Sequence, residues 1–310
     1  MKSDWEAWCA QQAAAFAADR QRGAAQLGRR VLRRLAEAAR RCPADTPAAL
    51  RAELEALARH WAGLRPSMAA PAMLAETWCA RLAELPALDP HAWRRAAARA
   101  AGELLDAARA ASAAAARHAA AALPDGPLFT LSYSSTVLAA LRLRAPGPLL
   151  IAESRPRCEG RRSAVAAARA GHAVELITDA QIGLFVPRVR AVVLGADGLS
   201  AEGAAVNKAG SRLAALAARA ARVPVFVLAE SFKRGARPAA DWPLEEMDGA
   251  ELAPPRHPRI RARNFYFEVV EPALIDRWID ERGVHRRPPP LAPFSAAAAA
   301  ADGTGAGRGA

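Results

Sequence analysis

Residues 128–152 have the sequence LFTLSYSSTVLAALRLRAPGPLLIA, and this stretch decides the fold. Two short apolar runs, Leu128–Leu131 and Leu149–Ala152, flank a hydroxyl-rich turn and a segment, 134–143, whose apolar residues have helical spacing. A strand, a helix and a second strand in this order are typical of a parallel βαβ unit. The stretch therefore predicts the first unit of an α/β fold.

The same alternation continues downstream. Further apolar runs predict strands at Ala173–Ile177, Ala191–Leu194, Val225–Ala229 and Phe265–Val269. The segments beside these strands have helical spacing, at 160–170, 179–186, 208–221 and 272–282. Continuous apolar strands are typical of a buried, mostly parallel sheet that carries helices on both faces. The ligand sites of such sheets lie at the carboxyl ends of the strands.

Upstream of this region the pattern is helical throughout. Residues 4–120 have apolar positions at helical spacing and predict about five helices, the last over 90–121. The sequence Pro-Asp-Gly-Pro at 124–127 marks the change of pattern. We therefore expect an α/β protein with a helical N-terminal domain, residues 1–123, followed by a Rossmann-like, mostly parallel sheet domain, residues 124–285.

The two ends of the chain carry separate expectations. Residues 286–310 run from an Arg-Arg-Pro-Pro-Pro sequence into alanine and glycine, offer little apolar surface to bury, and are expected to form a disordered tail. The charged start of the chain does not resemble a signal peptide, which predicts a cytoplasmic location. No apolar run reaches the roughly 18 residues that a membrane span needs.

Composition limits the kinds of ligand. The formal net charge is +12, yet only three of the 43 basic residues are lysine, and aromatic residues are not interleaved with the basic runs. A single-strand nucleic-acid binder needs such aromatic residues, so nucleic acid is not expected as a partner, whereas anionic small molecules fit. The four cysteines and six histidines lack metal-ligand spacing, so we expect neither a metal nor another cofactor.

Residue types that are rare in this chain concentrate in one region. Tyrosine occurs only at 133 and 266, asparagine at 207 and 264, and lysine at 2, 208 and 233. Six of these seven residues lie between 133 and 266. Where a composition disfavours a residue type, each instance is more often present for its chemistry. This region is therefore the candidate site.

Two predicted strand ends carry polar segments that have two interpretations each. Thr130–Thr136 is a hydroxyl-rich turn whose hydroxyls and amides could cradle an anion, or it could be an ordinary Ser/Thr helix cap. Glu153–Arg162 is a charged loop in which Arg155 is suited to phosphate binding, or it could be a solvated loop capped by Glu153.

Two more strand ends place scarce or charged residues together. Gly195–Gly198 puts the Asp197 carboxylate at a strand end, and Asn207 with Lys208 is expected to open the next helix. A carboxylate near an Asn-Lys pair is suited to polyol and proton chemistry. Lys233 lies at the following strand end and is a further candidate for ligand binding.

The order of these segments resembles the family of the alpha, beta and delta regulatory subunits of initiation factor 2B. That family also includes methylthioribose-1-phosphate isomerase and ribose-1,5-bisphosphate isomerase. The resemblance extends upstream to Asp19–Ala25 and Leu64–Ala69, and downstream to Asn264–Glu268 and Pro272. It covers roughly residues 15–285, and several ordered motifs together are far more specific than any one of them.

In the isomerase branch, the resemblance implies a helical domain that closes over the Rossmann-like domain with a sugar 1-phosphate between them. It implies that Arg22, Gly23 and Ala24 form a loop near the phosphate. Arg65 corresponds to an arginine that contacts the sugar phosphate.

The remaining correspondences concern the reaction and the assembly. Asp197 corresponds to the carboxylate that moves a proton between C1 and C2, and Asn207 and Lys208 correspond to ligand-positioning residues. The Rossmann-like domains of the family pair about a two-fold axis, so the resemblance also implies a homodimer.

Two positions depart from the isomerases. Ser132, followed by Tyr133, replaces their catalytic cysteine, and a hydroxyl exchanges protons near neutrality less well than a thiol. Glu159 replaces a glutamine, and its carboxylate would repel a phosphate charge unless Arg161 or Arg162 offsets it. Both changes resemble regulatory subunits, whereas Asp197 resembles the isomerases.

These residues leave two hypotheses for a sugar-phosphate-binding protein. The first is an aldose–ketose isomerase that acts on a pentose 1-phosphate or on ribose 1,5-bisphosphate, with Asp197 as acid and base and Ser132 as its hydrogen-bonding partner. The alternative is a non-catalytic regulatory subunit that senses a sugar or nucleotide phosphate. A dinucleotide oxidoreductase is disfavoured, because no G-x-G-x-x-G follows the first strand.

Overall fold

A computed structural model describes residues 2–86, 89–291 and 294 of the chain. The N-terminal part is helical, as the spacing of its apolar residues predicts. Its helices are α1 (Lys2–Ala17), α2 (Ala24–Arg41), α3 (Pro47–Gly63), α4 (Ala69–Ala83) and α5 (Pro90–Ala122). The predicted number of helices and the long last helix are therefore found in the described part of this half.

The helices differ in how they begin. Before α5, the Asp89 carboxylate accepts a hydrogen bond from the Ala92 amide at 2.9 Å, and Pro90 takes the first helical position. Both features satisfy or remove backbone donors that a helix start leaves unpaired. Gly23 precedes α2 without any side-chain cap. The first amides of α2 therefore remain available to partners outside the helix.

Close packing fixes the position of α2 against α4. A Cβ atom on Gly28 would lie 2.9 Å from Leu74 Cδ1 and 3.1 Å from the Ala70 carbonyl oxygen. Only glycine allows the two helices to approach this closely, since such contacts are shorter than van der Waals separations. The N-termini of α2 and α4 are consequently held side by side above the second half of the chain.

The second half alternates strands and helices. Its described strands are β1 (Leu128–Leu131), β2 (Pro148–Ala152), β3 (Ala173–Ile177), β4 (Ala191–Gly195), β5 (Gly198–Leu199), β6 (Ala205–Lys208), β7 (Val225–Leu228), β8 (Glu246–Met247), β9 (Asn264–Phe265), β10 (Phe267–Val270), β11 (Arg277–Asp280) and β12 (Gly283–His285). Its α-helices are α6 (Ser135–Arg142), α7 (Glu159–Arg169), α8 (Ile182–Phe185) and α9 (Ser211–Ala221).

Seven of the strands form the main sheet in the order β12-β11-β7-β4-β1-β2-β3. All neighbouring pairs are parallel except β11 with β12. From β1 the chain adds β2 and β3 on one side and then returns to add β4, β7 and β11 on the other. The order reverses between β1 and β4, and open α/β sheets bind ligands at such a switch point. The predicted Rossmann-like sheet is confirmed.

Three predicted elements are wrong in detail. The helix expected to begin at 208 begins at Ser211, because Asn207 and Lys208 end strand β6. The strand expected at Phe265–Val269 is two short strands outside the main sheet, and β10 pairs antiparallel with β6. The helix expected over 272–282 is one 3-10 turn followed by β11, which joins the sheet beside β7.

The core continues from the helical half into the sheet half. Phe232 and Tyr266 of the second half are buried in the same apolar cluster as most of α2 and α4. Phe294, within the predicted tail 286–310, is also buried there, with its ring 5.2 Å from that of Phe232. Most of that tail lies outside the described residues. Among the residues that are described, no helix combines the length and apolar character needed to cross a membrane.

Candidate active site

A pocket opens where the sheet order reverses, between the helical half above and the strand ends below. It encloses about 570 Å³ of space free of protein atoms, counting solvent at its mouth. We call it the switch-point pocket. Its lining residues are Arg20, Gln21, Arg22, Gly23, Arg65, Met68, Leu131, Ser132, Tyr133, Ser134, Glu159, Gly195, Asp197, Asn207, Lys208, Tyr266 and Phe267.

The structure brings most of the predicted site residues to this pocket. Eight of the eleven line it, namely Arg22, Gly23, Arg65, Ser132, Glu159, Asp197, Asn207 and Lys208. They come from six separate parts of the chain, which meet because the carboxyl ends of β1 and β4 face the start of α2. The other three, Ala24, Lys233 and Arg155, do not line the pocket.

Asp197 lies two residues beyond β4 and is tied to both halves of the protein. Its carboxylate Oδ1 accepts a hydrogen bond from the Ala24 amide at 3.2 Å, so Ala24 holds the acid instead of lining the pocket. Its main-chain carbonyl accepts another from the Ala69 amide at 2.9 Å. Ala24 and Ala69 are the first residues of α2 and α4.

Burial raises the pKa of the Asp197 carboxyl above its ordinary value. The positive charges of Lys233, Arg65 and Lys208 oppose this effect, as does the bond from the Ala24 amide. A carboxyl group whose pKa is moved toward neutrality and which is enclosed near cations is suited to take up and return a proton.

Lys233 acts on Asp197 from beneath the pocket. It is buried and forms an ion pair with Glu230 at 2.7 Å, instead of facing the space for a ligand. Glu230 also accepts hydrogen bonds from Ser112 at 2.6 Å and from Thr136 at 2.8 Å. Lys233 and these hydroxyls lower the pKa of Glu230 to about 2 despite burial, which alone would raise it. Lys233 therefore does not lie where the predicted contact with a ligand would occur.

Lys208 and Glu159 form an ion pair across the pocket wall. Lys208 Nζ lies 3.1 Å from Glu159 Oε1 and 4.4 Å from the centre of the Tyr266 ring. The carboxylate is therefore offset by Lys208, whereas the sequence pointed to Arg161 or Arg162. Glu159 Oε2 is buried and receives no hydrogen bond from any described residue. That oxygen is an open acceptor for a hydroxyl donor.

Ser132 is held in an uncommon backbone conformation at the end of β1. Its φ is +57°, in the left-handed region, which costs a residue other than glycine of order 1 kcal/mol. The Ser132 carbonyl accepts a hydrogen bond from the Ser163 hydroxyl at 2.5 Å. Such a conformation persists only where surrounding contacts hold it, and it turns the residue toward the switch point.

The next residues of the same turn include a helix cap. The Ser134 hydroxyl accepts a hydrogen bond from the Val137 amide at 3.3 Å at the start of α6. A Cβ atom on Gly195 would lie 2.6 Å from Ser134 Oγ. The hydroxyl-rich turn is thus both a cap and a pocket wall, and glycine is needed on β4 opposite it.

Arg65 and Arg22 come from the helical half and share Asp19. Arg65 is buried and donates to the Asp19 carbonyl, with its Nε 3.5 Å from Glu245 Oε1. Arg22 is half-exposed and bonds the Asp19 carboxylate at 2.6 Å. Arg65 therefore fixes the loop that precedes α2, and Arg22 is the more accessible cation at the mouth of the pocket.

Arg155 does not reach the pocket. Its side chain is exposed, and its backbone amide donates to Asp179 Oδ2 at 2.7 Å, which holds the loop after β2 against the next segment. Asn207 does line the pocket, with its amide nitrogen 2.9 Å from Ser211 Oγ. The described residues contain no group of three His, Cys, Asp or Glu side chains placed to hold a metal ion.

Several lining residues were not singled out from the sequence as site residues. Met68 and Arg20 belong to the helical motifs, and Tyr266 and Phe267 to the closing strand. Tyr266 is one of only two tyrosines in the chain, so its scarcity was the available signal. Its hydroxyl donates to Glu251, and burial together with this bond raises its pKa.

Fold and site together define an α/β protein in which a helical half covers an enclosed polar pocket at the switch point of the sheet. The family model for the initiation factor 2 subunit family matches residues 20–287. The chain belongs to this family. The resemblance drawn from the sequence motifs is confirmed.

Two relatives that this chain resembles over part of its length are named as sugar-phosphate isomerases. Ribose 1,5-bisphosphate isomerase of Archaeoglobus fulgidus is 37% identical over 139 residues, which cover 44% of this chain and 44% of that relative. Methylthioribose-1-phosphate isomerase of Dehalococcoides mccartyi is 32% identical over 175 residues, covering 52% of each chain. The chain thus spans about half the length of these curated relatives in the matched regions.

A solved structure extends the likeness to most of the chain. The translation initiation factor eIF-2B of Pyrococcus horikoshii OT3 superposes with a TM-score of 0.75 at 28% identity, covering 90% of this chain and 97% of that one. The 5-methylthioribose 1-phosphate isomerase of the same organism has a TM-score of 0.75 at 22% identity, covering 90% and 85%, and shows the shared fold.

Proposed function

We propose that this protein is an aldose–ketose isomerase that acts on a phosphorylated pentose, either a pentose 1-phosphate or ribose 1,5-bisphosphate. The observation that carries the proposal is the state of Asp197. Its carboxyl is enclosed at the switch point, burial raises its pKa, and three cationic side chains lie around it. Relatives named as isomerases of such sugars support the substrate class.

In the proposed mechanism the phosphate lies at the start of α2. The Ala24 amide is bonded to Asp197, but the other amides of the first turn of this helix and the positive end of its dipole remain for a phosphate, and Arg22 adds an accessible guanidinium. Lys208 and Asn207 border the same space from β6. This arrangement would hold the sugar with its first carbons between Ser132 and Asp197.

The chemistry then consists of proton transfers alone. As the C1–O bond of the ring breaks, the ring oxygen keeps the bonding pair and gains a proton relayed from solvent through Ser132, its hydrogen-bonding partner, and the proton that the C2 hydroxyl loses later returns to solvent. Asp197 takes the proton from C2, a cis-enediol forms, and the same carboxyl returns a proton to C1 while the C2 hydroxyl loses its own to give the ketone. The product is an isomer of the substrate, so no other reactant is needed.

Glu159 has a role that fits this orientation. Its Oε2 is buried without a partner among the described residues, so a sugar hydroxyl that donated to it would satisfy an acceptor that is otherwise costly to bury. The adjacent Lys208 keeps the local charge near neutral. Glu159 is accordingly proposed to bind a hydroxyl and not the phosphate.

The alternative is a non-catalytic regulatory subunit that senses a sugar or nucleotide phosphate. The observation that favours it is the combination of Ser132, in place of a thiol, with a lysine already paired to Glu159 inside the pocket. The serine weakens proton transfer, and the ion pair weakens the attraction of a phosphate. Neither feature closes the pocket. Such a protein would bind the same ligands and leave them unchanged.

Two measurements separate these functions. A thermal-shift screen against pentose and hexose phosphates should give stabilisation with a phosphorylated pentose. Proton NMR in D₂O should then show deuterium at C1, since the proton that Asp197 returns exchanges with solvent. Binding without any deuterium incorporation would refute the isomerase and leave the regulatory function. We also propose a cytoplasmic homodimer, which a mass measurement in solution tests.

A further inference from the structure

A second cavity adjoins the switch-point pocket along the exposed face of α2. It encloses about 770 Å³ including the solvent at its mouth. We call it the arginine cleft. Its lining residues are Gln21, Arg22, Gln26, Arg29, Arg30, Arg33 and Arg162. Gln21 and Arg22 also line the switch-point pocket, so one molecule could occupy both spaces.

The only carboxylate that pairs with these arginines among the described residues is Asp19. It binds Arg22 at 2.6 Å and Arg30 at 2.7 Å, so these two cations are offset. Arg29 instead donates to the Ser112 hydroxyl at 2.9 Å. Arg162 donates to the Gln21 carbonyl at 2.9 Å. Both of these hydrogen-bond partners are neutral, although Glu230 lies near Arg29 on the other side of Ser112.

Arg33 is the third arginine of the cleft without an ion-pair partner, counting only the residues that the structure describes. The side chains at 26, 29, 30 and 33 follow helical spacing and project from one face of α2. Burial lowers the pKa of Arg29, Glu230 opposes this effect, and the charges of Arg109 and Arg33 lower the pKa further. A cluster of like charges around one cavity is unfavourable without an anion and becomes favourable with one.

The length of the cleft suits a pentose. Five residues separate Ala24, at the start of α2, from Arg29, and an α-helix rises about 8 Å over that distance. An anion at the helix start and a second anion near Arg29 would therefore be separated by about the span of a five-carbon chain. Guanidinium groups bind phosphate through paired hydrogen bonds, and a phosphate monoester carries more negative charge than a carboxylate.

We infer that the arginine cleft binds the second phosphate of a bisphosphorylated sugar whose first phosphate lies at the start of α2. The inference rests on the proposed function, because it assigns the far end of the same ligand. It selects the bisphosphate from the two substrate classes proposed above. Arg29 and Arg33 become specificity residues that take no part in proton transfer.

The test compares two sugars on three proteins by calorimetry. The sugars are ribose 1,5-bisphosphate and ribose 1-phosphate, with inorganic phosphate as a third probe. The proteins are the natural chain, the Arg29→Gln/Arg33→Gln variant, and an Arg34→Gln/Arg41→Gln control. Arg34 and Arg41 lie on the same helix and pair with Glu37, so the control removes the same charge outside the cleft.

We expect the natural chain to bind the bisphosphate at least tenfold more tightly than the monophosphate. The Arg29→Gln/Arg33→Gln variant should lose that preference and keep its affinity for the monophosphate, and the control should behave as the natural chain. Since Arg29 is partly buried, Arg33→Gln alone provides an exposed substitution that should reduce the preference at least threefold without affecting folding.

The outcomes are distinct. Equal binding of the two sugars by the natural chain would overturn the inference and leave the proposed function standing, even if inorganic phosphate bound the arginine cleft. Equal losses of affinity for both sugars in the Arg29→Gln/Arg33→Gln variant would also overturn it. If neither sugar bound the natural chain at all, the proposed function itself would fail.

Discussion

Lys208 Nζ lies 3.1 Å from Glu159 Oε1, and both side chains line the switch-point pocket. The lysine is nearly fully buried, so the pair is shielded from solvent and salt. The negative charge of Glu159 therefore reduces the attraction of Lys208 for an anionic ligand. A glutamine at position 159 would leave the lysine unpaired.

The first prediction follows from this pair. Glu159→Gln should tighten binding of a phosphorylated pentose at least tenfold, because it removes a negative charge near Lys208 while its amide oxygen can still accept the sugar hydroxyl. Lys208→Ala should weaken binding at least tenfold, since it removes the cation and leaves Glu159 unpaired. Calorimetry measures whether the affinity of each variant rises or falls. Arg161→Gln is the control, because Arg161 pairs with Glu153 on an exposed surface. Changes of the same sign in both variants would contradict the prediction.

The second prediction concerns Asp197. Asp197→Asn should abolish isomerisation while leaving ligand affinity within about threefold, because the amide oxygen can still accept from the Ala24 amide but cannot take up a proton. Turnover by NMR and affinity by calorimetry are both needed. A variant that kept measurable deuterium incorporation at C1 would show that another group moves the proton.

The third prediction concerns Ser132. Ser132→Cys should raise turnover at least tenfold near neutral pH, because a thiol is a better acid than a hydroxyl. The substitution keeps the size of the side chain and the backbone strain at φ +57°. Ser134→Cys is a control in the same turn, since Ser134 caps α6. Absence of turnover in both the natural chain and the Ser132 variant, with binding demonstrated, would favour the regulatory function.

The fourth prediction concerns stability and pH. Because the pKa of Glu230 is lowered from 4.5 to about 2 in the folded protein, its carboxylate stabilises the fold fully above about pH 4.5. This contribution is lost as the pH falls from 4.5 toward 2. Glu230→Gln should cost about 3 kcal/mol of unfolding free energy at pH 7, and much less at pH 3.

Chemical denaturation of the natural chain and the Glu230→Gln variant at a series of pH values measures this dependence. Glu271→Gln is the matched control, because Glu271 pairs with Arg212 on the exposed surface, where such pairs contribute about 0–1 kcal/mol. A constant difference between the natural chain and the Glu230 variant from pH 7 to pH 3 would show that the carboxylate charge is not responsible.

The fifth prediction concerns assembly. Leu213 and Leu216 lie on one face of α9 and are exposed, as is Leu184 on the adjacent α8. An exposed apolar patch of this kind suits the proposed two-fold interface of the sheet half. Light scattering at micromolar concentration should give the mass of a dimer. Leu213→Asp should give a monomer, whereas Leu143→Asp, on an equally exposed leucine of another surface, should not.

The sequence could predict the main sheet because apolar runs identify strands that are buried on both faces. It could not predict that 277–280 forms a strand, since Pro272 and the spacing of the following apolar residues also fit a helix. That segment becomes β11 because its backbone pairs with β7. Strand β6 was missed for a related reason, because it ends in the polar pair Asn207 and Lys208 and joins a small sheet with β10.

The candidate site could also be predicted only in part from the sequence. Residues that directly follow β1 and β4, such as Ser132 and Asp197, could be placed together because parallel strands end at one edge. The roles of Lys233 and Arg155 could not. The partner of Lys233 is near in sequence, but the burial of that pair beneath the pocket depends on the tertiary fold, and the partner of Arg155 is distant in sequence. Lys233 turns to Glu230 beneath the pocket, and the Arg155 backbone turns to Asp179.

The two hydrogen bonds that Asp197 accepts from Ala24 and Ala69 would make this residue respond to any opening between the two halves of the protein. A motion that separated α2 and α4 from the sheet would break both bonds at once and admit water to the carboxylate. Because burial raises the pKa, separation would release a proton bound there, and closure would favour its return. Ligand entry and the protonation of Asp197 would thereby be linked, and variants that favour the open state should titrate differently from variants that favour the closed state.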